Sequence, residues 1–259
     1  MIRIIKPPSP AALVDGATQK RAEHCAAYDA NPDEYLSGDL KFSSSFDRKI
    51  YRNNVVKTAL CEAQHGKCCY CERHVSISEG HVEHFRPIGR VRQSTEEPEQ
   101  YPGYYWLAYL WDNLLFSCFD CNVVHKRTLF PLANAGSRAR SHHDDMAIEE
   151  PLLLNPALED PRAHIKFREE APMKLDEIGW TTIDVVGLRR PDLYERRRKN
   201  LAYLKSFRRI HELARASANR AELEDEALVH LMEAVQPDAE FSAMAQDYLS
   251  DFVFQSPEC

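Results

Sequence analysis

The sequence predicts an α+β protein in which a hairpin-and-helix unit at about 61–132 is embedded in mainly helical N- and C-terminal regions. Four cysteines, paired as Cys68-x-x-Cys71 and Cys118-x-x-Cys121, bracket a segment that glycines and prolines divide into loops and short strands. On either side of this segment, apolar residues recur mostly at helical spacings. We therefore divide the chain into a helical region at 1–60, the cysteine-rich unit at 61–132, and a mainly helical region with one or two short strands at 133–259.

In the N-terminal region, the clearest helical pattern lies just before the first cysteine pair. Ser44 and Ser45 are suited to cap a helix over 46–65, whose apolar stripe includes Ile50 and Leu60.

In the C-terminal region, a polar and irregular loop at 133–150 comes first. The stretches PLLLNPALEDP, HIKFRE and GWTTIDVV after it suggest one or two short strands. Pro191 then opens a helix, and a second helix covers about 219–235. A third helix begins near Pro237 and is expected to bury four large side chains. These are Phe241, Met244, Tyr248 and Phe252.

Composition narrows the class of protein. The chain has 259 residues, of which 44% are hydrophobic and 28% charged, as in ordinary globular proteins. The N-terminal stretch MIRIIKPPSP has no hydrophobic signal core, and the chain has no membrane-length apolar run, so we expect a cytoplasmic protein. In that compartment cysteines rarely form disulfides, and Cys25, Cys61 and Cys259 are expected to be free thiols.

Charge argues against a protein that coats nucleic acid indiscriminately, because the formal net charge is −7. One strip, at 189–209, is nevertheless rich in Arg and Lys. Two interpretations stay open for it: a face that meets phosphate, or a solvated helix face.

The paired cysteines predict a structural zinc site. Tetrahedral zinc takes four thiolates readily, and two Cys-x-x-Cys turns direct four sulfurs at one point. We expect Cys68, Cys71, Cys118 and Cys121 as ligands, with Cys69 as a possible replacement for Cys68. Redox chemistry is the alternative, but a thioredoxin-like motif needs only one such pair.

Between the cysteine pairs lie the residues with catalytic potential. The sequence predicts a hairpin of 81–85 with 112–116, followed by a helix that starts near Asn122. Glu83 and Asn122 would then face each other across the groove between hairpin and helix. Their oxygens suit a hard divalent ion, Mg²⁺ or Mn²⁺. His84 is a candidate base for water, and Asn113 a candidate for fixing its tautomer.

These residues resemble the HNH endonuclease family, whose ββα-metal unit combines three motifs. They correspond here to Glu83-His84-Phe85-Arg86-Pro87, Asn113-Leu114, and Cys118-x-x-Cys121-Asn122. The resemblance implies phosphodiester hydrolysis, with His84 as general base and Asn113 orienting its ring. It implies Glu83 and Asn122 as ligands of the catalytic ion.

The wider sequence resembles one branch of that family, the nuclease subunit of the Septu anti-phage systems, which also occurs beside some retrons. The similar segments are KPPSP, YYWLAYLWDNLLFSCFDCN, FPL at 130–132, PLLLNP at 151–156 and TTIDVVGLRRPDL at 181–193. The resemblance implies an ABC/SMC-type ATPase subunit as partner.

The expected substrate is nucleic acid, with DNA favoured over RNA. Arg86 and Lys126 are candidate phosphate contacts, and such contacts are independent of sequence. The alternative interpretation is a zinc-bound module that binds nucleic acid or protein through an inactive nuclease site.

Overall fold

The computed structural model describes residues 1–217 and 220–254. Within them, helices make up most of the regular structure, and short 3₁₀ turns connect many of them. The α-helices are α1 (Ala11–Ala30), α2 (Pro32–Ser37), α3 (Arg48–Tyr51), α4 (Asn54–Ala63), α5 (Glu177–Val185), α6 (Pro191–Arg215), α7 (Ala221–Ala234) and α8 (Ser242–Tyr248). No helix in the described ranges combines the length and the apolar character that a membrane crossing requires.

Two small antiparallel sheets account for the named strands of the described residues. Strand β1 (His81–His84) pairs with β2 (Leu114–Ser117), and β3 (Ile165–Arg168) pairs with β4 (Ala171–Lys174). The structure is thus a helix-rich α+β arrangement, as the sequence predicts.

The predicted hairpin is present with shifted ends. Glu83 lies opposite Leu115 and His84 opposite Leu114. The second strand begins at Leu114 rather than at residue 112, because Trp111–Asn113 forms a 3₁₀ turn. A π-helix, Asp120–Lys126, follows β2 directly and completes a strand–strand–helix unit.

The helix predicted over 46–65 is divided in two. Asp47 caps α3 by accepting from the Lys49 N–H at 2.9 Å, and Asn53 caps α4 by accepting from the Val55 N–H at 2.8 Å. An Asn at this position favours the start of a new helix over continuation of the old one.

Among the stretches predicted to supply one or two short strands, HIKFRE contains β3, whereas GWTTIDVV belongs mainly to α5. Asp176 caps this helix by accepting from the Gly179 N–H at 2.8 Å. Gly179 also permits close packing, because a Cβ there would lie 2.0 Å from the His164 carbonyl oxygen. The cap and this packing outweigh the β propensity of the Thr, Ile and Val residues.

The remaining C-terminal predictions hold in part. Helix α6 begins at Pro191 as expected, and α7 begins at Ala221, whereas Asn219 lies outside the described residues. Phe241 and Met244 are buried, while Tyr248 and Phe252 are only half-buried.

The predicted free thiols Cys25 and Cys61 are unpaired, and Cys259 is outside the described part of the chain.

The first cysteine turn is tied to the C-terminal region by a buried carboxylate. Glu72 accepts from the Ser242 hydroxyl at 2.9 Å and the Ala243 N–H at 3.2 Å, and pairs with Lys67 at 3.5 Å. This contact packs α8 against the cysteine-rich unit.

Candidate functional site

Four cysteine thiols meet in the interior of the strand–strand–helix unit. The sulfurs of Cys68, Cys71, Cys118 and Cys121 all lie within 4.8 Å of one another, and all four residues are buried. Cys69 is also buried but belongs to the backbone pairing, donating its N–H to the Phe116 carbonyl at 2.9 Å. The cluster therefore uses Cys68, and it could bind a metal such as zinc.

Backbone turns shape this cluster in the manner expected of Cys-x-x-Cys knuckles. The Cys121 N–H points to the Cys118 sulfur at 3.4 Å, and the Glu72 N–H donates to the Cys68 carbonyl at 3.1 Å. Burial raises the pKa of the Cys68 and Cys121 thiols. Four thiols this close and this buried need a cation to become thiolates together.

Arg190 lies against the cluster, although the sequence marks it only as part of the basic strip at 189–209. Its guanidinium is 3.3 Å from the Cys121 sulfur and 3.2 Å from the Gly187 carbonyl oxygen, to which it donates. An N–H donor here neutralises part of the negative charge of a four-thiolate centre. Since Arg190 immediately precedes α6, it also anchors that helix to the cluster.

The basic strip at 189–209 is not one continuous surface. Arg190 and Arg197 are buried, and Arg197 donates to the Leu188 carbonyl at 2.8 Å. Lys205 and Arg208 form ion pairs with acidic residues. The strip thus contributes to both core and surface.

Glu83 and Lys126 form a buried ion pair. Lys126, at the end of the π-helix, is 1% exposed, and Glu83 on β1 is 3% exposed. The Lys126 ammonium lies 2.6 Å from Glu83 Oε1 and donates to the His84 carbonyl at 3.0 Å. Burial raises the pKa of Glu83, and Lys126 opposes that change. The expectation that Lys126 contacts phosphate is corrected, because its charge is already paired inside the protein.

His84 is held by a backbone carbonyl rather than by Asn113. Its Nε2 lies 2.9 Å from the Ala108 carbonyl oxygen, which can only accept, so Nε2 carries the proton. Within residues 1–217 and 220–254, Nδ1 makes no hydrogen bond, and the ring is half-buried. Burial lowers the pKa of His84 to about 4, so the imidazole is neutral at pH 7.

Asn113 acts on the chain just after His84. Its side chain accepts from the Arg86 N–H at 2.7 Å and donates to the carbonyls of Arg86 at 3.0 Å and Leu107 at 3.3 Å. Asn113 therefore shapes the loop that follows β1, and the expected contact with the His84 ring is replaced by the Ala108 carbonyl.

Arg86 is also engaged inside the protein. Its guanidinium pairs with the buried Glu149 and lies 5.1 Å from the Tyr104 ring centre. Glu149 further accepts from the Tyr104 hydroxyl at 2.8 Å and the Ala139 N–H at 2.7 Å. The expectation that Arg86 contacts phosphate is corrected in the same way as for Lys126. Glu149 was missed because it lies in a segment that looked like a polar loop.

Asn122 remains available as a ligand. It lies in the π-helix, is half-buried, and its side chain makes no hydrogen bond to any residue that the structure describes. The Asn122 N–H donates to the Cys118 carbonyl at 3.1 Å, so the second cysteine turn sets its position.

Comparison with known proteins finds similarity between this chain and Septu proteins. No family model matches the chain. It is 38% identical over 160 residues to Septu protein PtuB of Bacillus mycoides (strain KBAB4), covering 60% of this chain and 54% of that protein. The chain thus spans about half the length of this relative.

Two further relatives match at lower identity. Septu protein PtuB of Bacillus thuringiensis is 26% identical over 240 residues, covering 86% of this chain and 81% of that protein. Septu protein PtuA of B. mycoides is 27% identical over 196 residues, covering 73% of this chain and 25% of that protein. These matches make the Septu PtuB proteins homologues of this chain.

Proposed function

We propose that the chain is a metal-dependent HNH-type endonuclease that serves as the nuclease of an anti-phage defence system, together with an ABC/SMC-type ATPase subunit. The similarity to Septu proteins supports the system. The strand–strand–helix unit with its cysteine cluster supports the type of nuclease.

The observation that carries the chemistry is the contact between His84 and Ala108. Because Nε2 donates to the carbonyl at 2.9 Å, the neutral ring presents Nδ1 as a proton acceptor. In phosphodiester hydrolysis, Nδ1 would take a proton from a water molecule. The oxygen of that water would bond to phosphorus, and the bond between phosphorus and the leaving oxygen would break. Asn113 would position the following loop.

The proposed catalytic cation would be held by Glu83 and Asn122. The buried Oε1 lacks a directed hydrogen bond and already faces one cation, the Lys126 ammonium. Asn122 offers an amide oxygen from the same helix as Lys126. Bound Mg²⁺ or Mn²⁺ would supply positive charge for the phosphorane and the leaving oxygen. Glu83 can take such an ion only as Lys126 withdraws.

Zinc is the metal we propose for the cysteine cluster. Four buried sulfurs favour it over hard ions, and the site would hold the two cysteine turns together.

The test is cleavage of plasmid DNA and of total tRNA by the purified chain with Mg²⁺ or Mn²⁺, with and without the ATPase subunit. We expect His84→Ala to abolish cleavage and His230→Ala, on α7, to preserve it. Cleavage that His84→Ala leaves unchanged would refute the proposed base.

The Glu83–Lys126 pair favours a second function, a binding module with an inactive site. Intact, zinc-loaded protein that cleaves neither substrate in any condition would support it.

A further inference from the structure

A second group of metal-binding side chains lies away from the cysteine cluster and the proposed catalytic residues. It combines Asp29, near the end of α1, with the adjacent His142 and His143 from the 133–150 segment. Their ligand atoms all lie within 4.8 Å of one another. Two imidazoles and one carboxylate are a common ligand set for zinc and related metals.

Both imidazoles direct the same nitrogen at one carboxylate. His143 Nε2 lies 2.7 Å from Asp29 Oδ1, and His142 Nε2 lies 3.5 Å from Oδ2. Tetrahedral zinc with bonds of about 2.0–2.1 Å places its ligand atoms roughly 3.4 Å apart. The observed separations lie on either side of that value, so a small adjustment admits an ion.

The opposite nitrogen of His142 has a hydrogen-bonding partner inside the protein, a feature that metal-bound histidines share. His142 Nδ1 is 2.6 Å from the hydroxyl oxygen of Tyr105, a buried residue. The backbone N–H of His142 also points to that hydroxyl, at 3.4 Å. When Nδ1–H donates to Tyr105, Nε2 is left free to bind a metal.

The turn that carries the histidines is held in shape by its own hydrogen bonds. Asp144 accepts from the backbone N–H groups of Arg140 at 2.8 Å and Ser141 at 2.9 Å. The two imidazole ring centres are 4.0 Å apart. Rings this close allow both imidazoles to bind the same divalent ion.

We propose that Asp29, His142 and His143 bind a divalent transition-metal ion of the zinc class and so tie α1 to the 133–150 segment. Asp29 is 47% exposed and His143 is 64% exposed at their side chains, whereas His142 is 16% exposed. The ion can enter from solvent on the side of Asp29 and His143, and water can complete its coordination.

The test measures zinc content after the full chain is dialysed against micromolar Zn²⁺. We expect Asp29→Asn and His143→Gln each to hold one equivalent less than wild type, and His230→Gln, the matched control, to hold the wild-type amount. Because the two altered side chains are well exposed, both variants should keep the wild-type circular dichroism spectrum. Equal zinc content in wild type and His143→Gln would overturn the proposal.

Two readings of the wild-type chain do not depend on the variants. Zn²⁺ should shift the imidazole ¹⁵N resonances of His142 and His143 and saturate at one equivalent. One equivalent of Co²⁺ at this site should add visible ligand-field absorption without thiolate-to-cobalt charge transfer. The absence of that charge-transfer band distinguishes this site from the cysteine cluster. Resonances that Zn²⁺ leaves in place would overturn the proposal.

Discussion

Lys126 Nζ lies 2.6 Å from Glu83 Oε1, and both side chains are almost fully buried. The same ammonium donates to the His84 carbonyl at 3.0 Å. One lysine from the π-helix thus neutralises the carboxylate on β1 and holds the backbone beside the proposed base. Stability and metal binding at this site should therefore depend on the same residue.

Replacing Lys126 by Met should destabilise the protein, because it leaves a buried carboxylate without its cation. We expect a loss of about 3–5 kcal/mol in the free energy of unfolding at pH 8, measured by urea denaturation. Lys199→Met, which removes an exposed lysine paired with Glu195, should leave the stability nearly unchanged, because solvent screens an exposed pair.

The stability that Lys126→Met loses relative to wild type should become smaller as pH falls from 8 to 5. Lys126 lowers the pKa of Glu83, so in Lys126→Met the carboxyl takes up its proton at higher pH. Protonation removes the unpaired charge, and the folded state gains stability relative to wild type. A deficit that is the same at both pH values would show that the lysine matters through packing alone.

Replacing Asn113 by Ala should lower stability without releasing the His84 ring. The change leaves the Arg86 N–H and two carbonyls without their partner, at a cost of about 2–4 kcal/mol. Asn134→Ala, which removes one exposed cap contact to the Gly136 N–H, should cost about 1 kcal/mol or less. Thermal melting compares the two variants.

The His84 ring reports separately on this prediction. Since Ala108 holds Nε2, the tautomer in Asn113→Ala should remain that of wild type, as read from long-range ¹H–¹⁵N correlations. A changed tautomer would restore the role that the sequence resemblance implies for Asn113.

Local spacing explains which parts of the site could be predicted. The short spacing within each Cys-x-x-Cys pair predicts that the two pairs form one four-sulfur cluster. In the structure this cluster contains Cys68 rather than Cys69. The hairpin followed from the need to bring both pairs together. Its strands are separated by many residues, yet only their ends were misplaced.

Partners distant in sequence explain the errors. Lys126 and Arg86 looked like solvent-facing cations, but Glu83 and Glu149 pair with them inside the protein. Arg190 contacts Cys121 across 69 residues of chain. No local pattern marks such a pair, because the fold alone decides which buried charges meet.

Replacing Arg190 by Met should weaken metal retention at the cysteine cluster. The guanidinium is 3.3 Å from the Cys121 sulfur, and loss of such an outer contact typically costs 10–100-fold in metal affinity. We expect zinc release to a chelator to accelerate by about this factor, followed with a colorimetric indicator. Arg189→Met is the matched control, because Arg189 is exposed and lies 4.9 Å from the Trp180 ring centre. Equal release rates in the two variants would mean that Arg190 serves only to anchor α6.

His84 should stay neutral, with its proton on Nε2, throughout the physiological range. Burial lowers its pKa to about 4, and the Ala108 carbonyl requires a donor at Nε2. Its ¹⁵N shifts should therefore remain constant between pH 8 and 5.5. Because the folded-state pKa is depressed, the unfolded chain binds the proton first as pH falls. The contribution of His84 to stability is therefore full above pH 6.5 or so and declines toward pH 4.

His84→Gln lacks this titration and isolates its effect. The stability of wild type relative to His84→Gln should decrease as pH is lowered from 7 to 4, as measured by urea denaturation. A His84 ring that titrates near pH 6.5, or that carries its proton on Nδ1, would contradict the neutral acceptor on which the proposed hydrolysis depends.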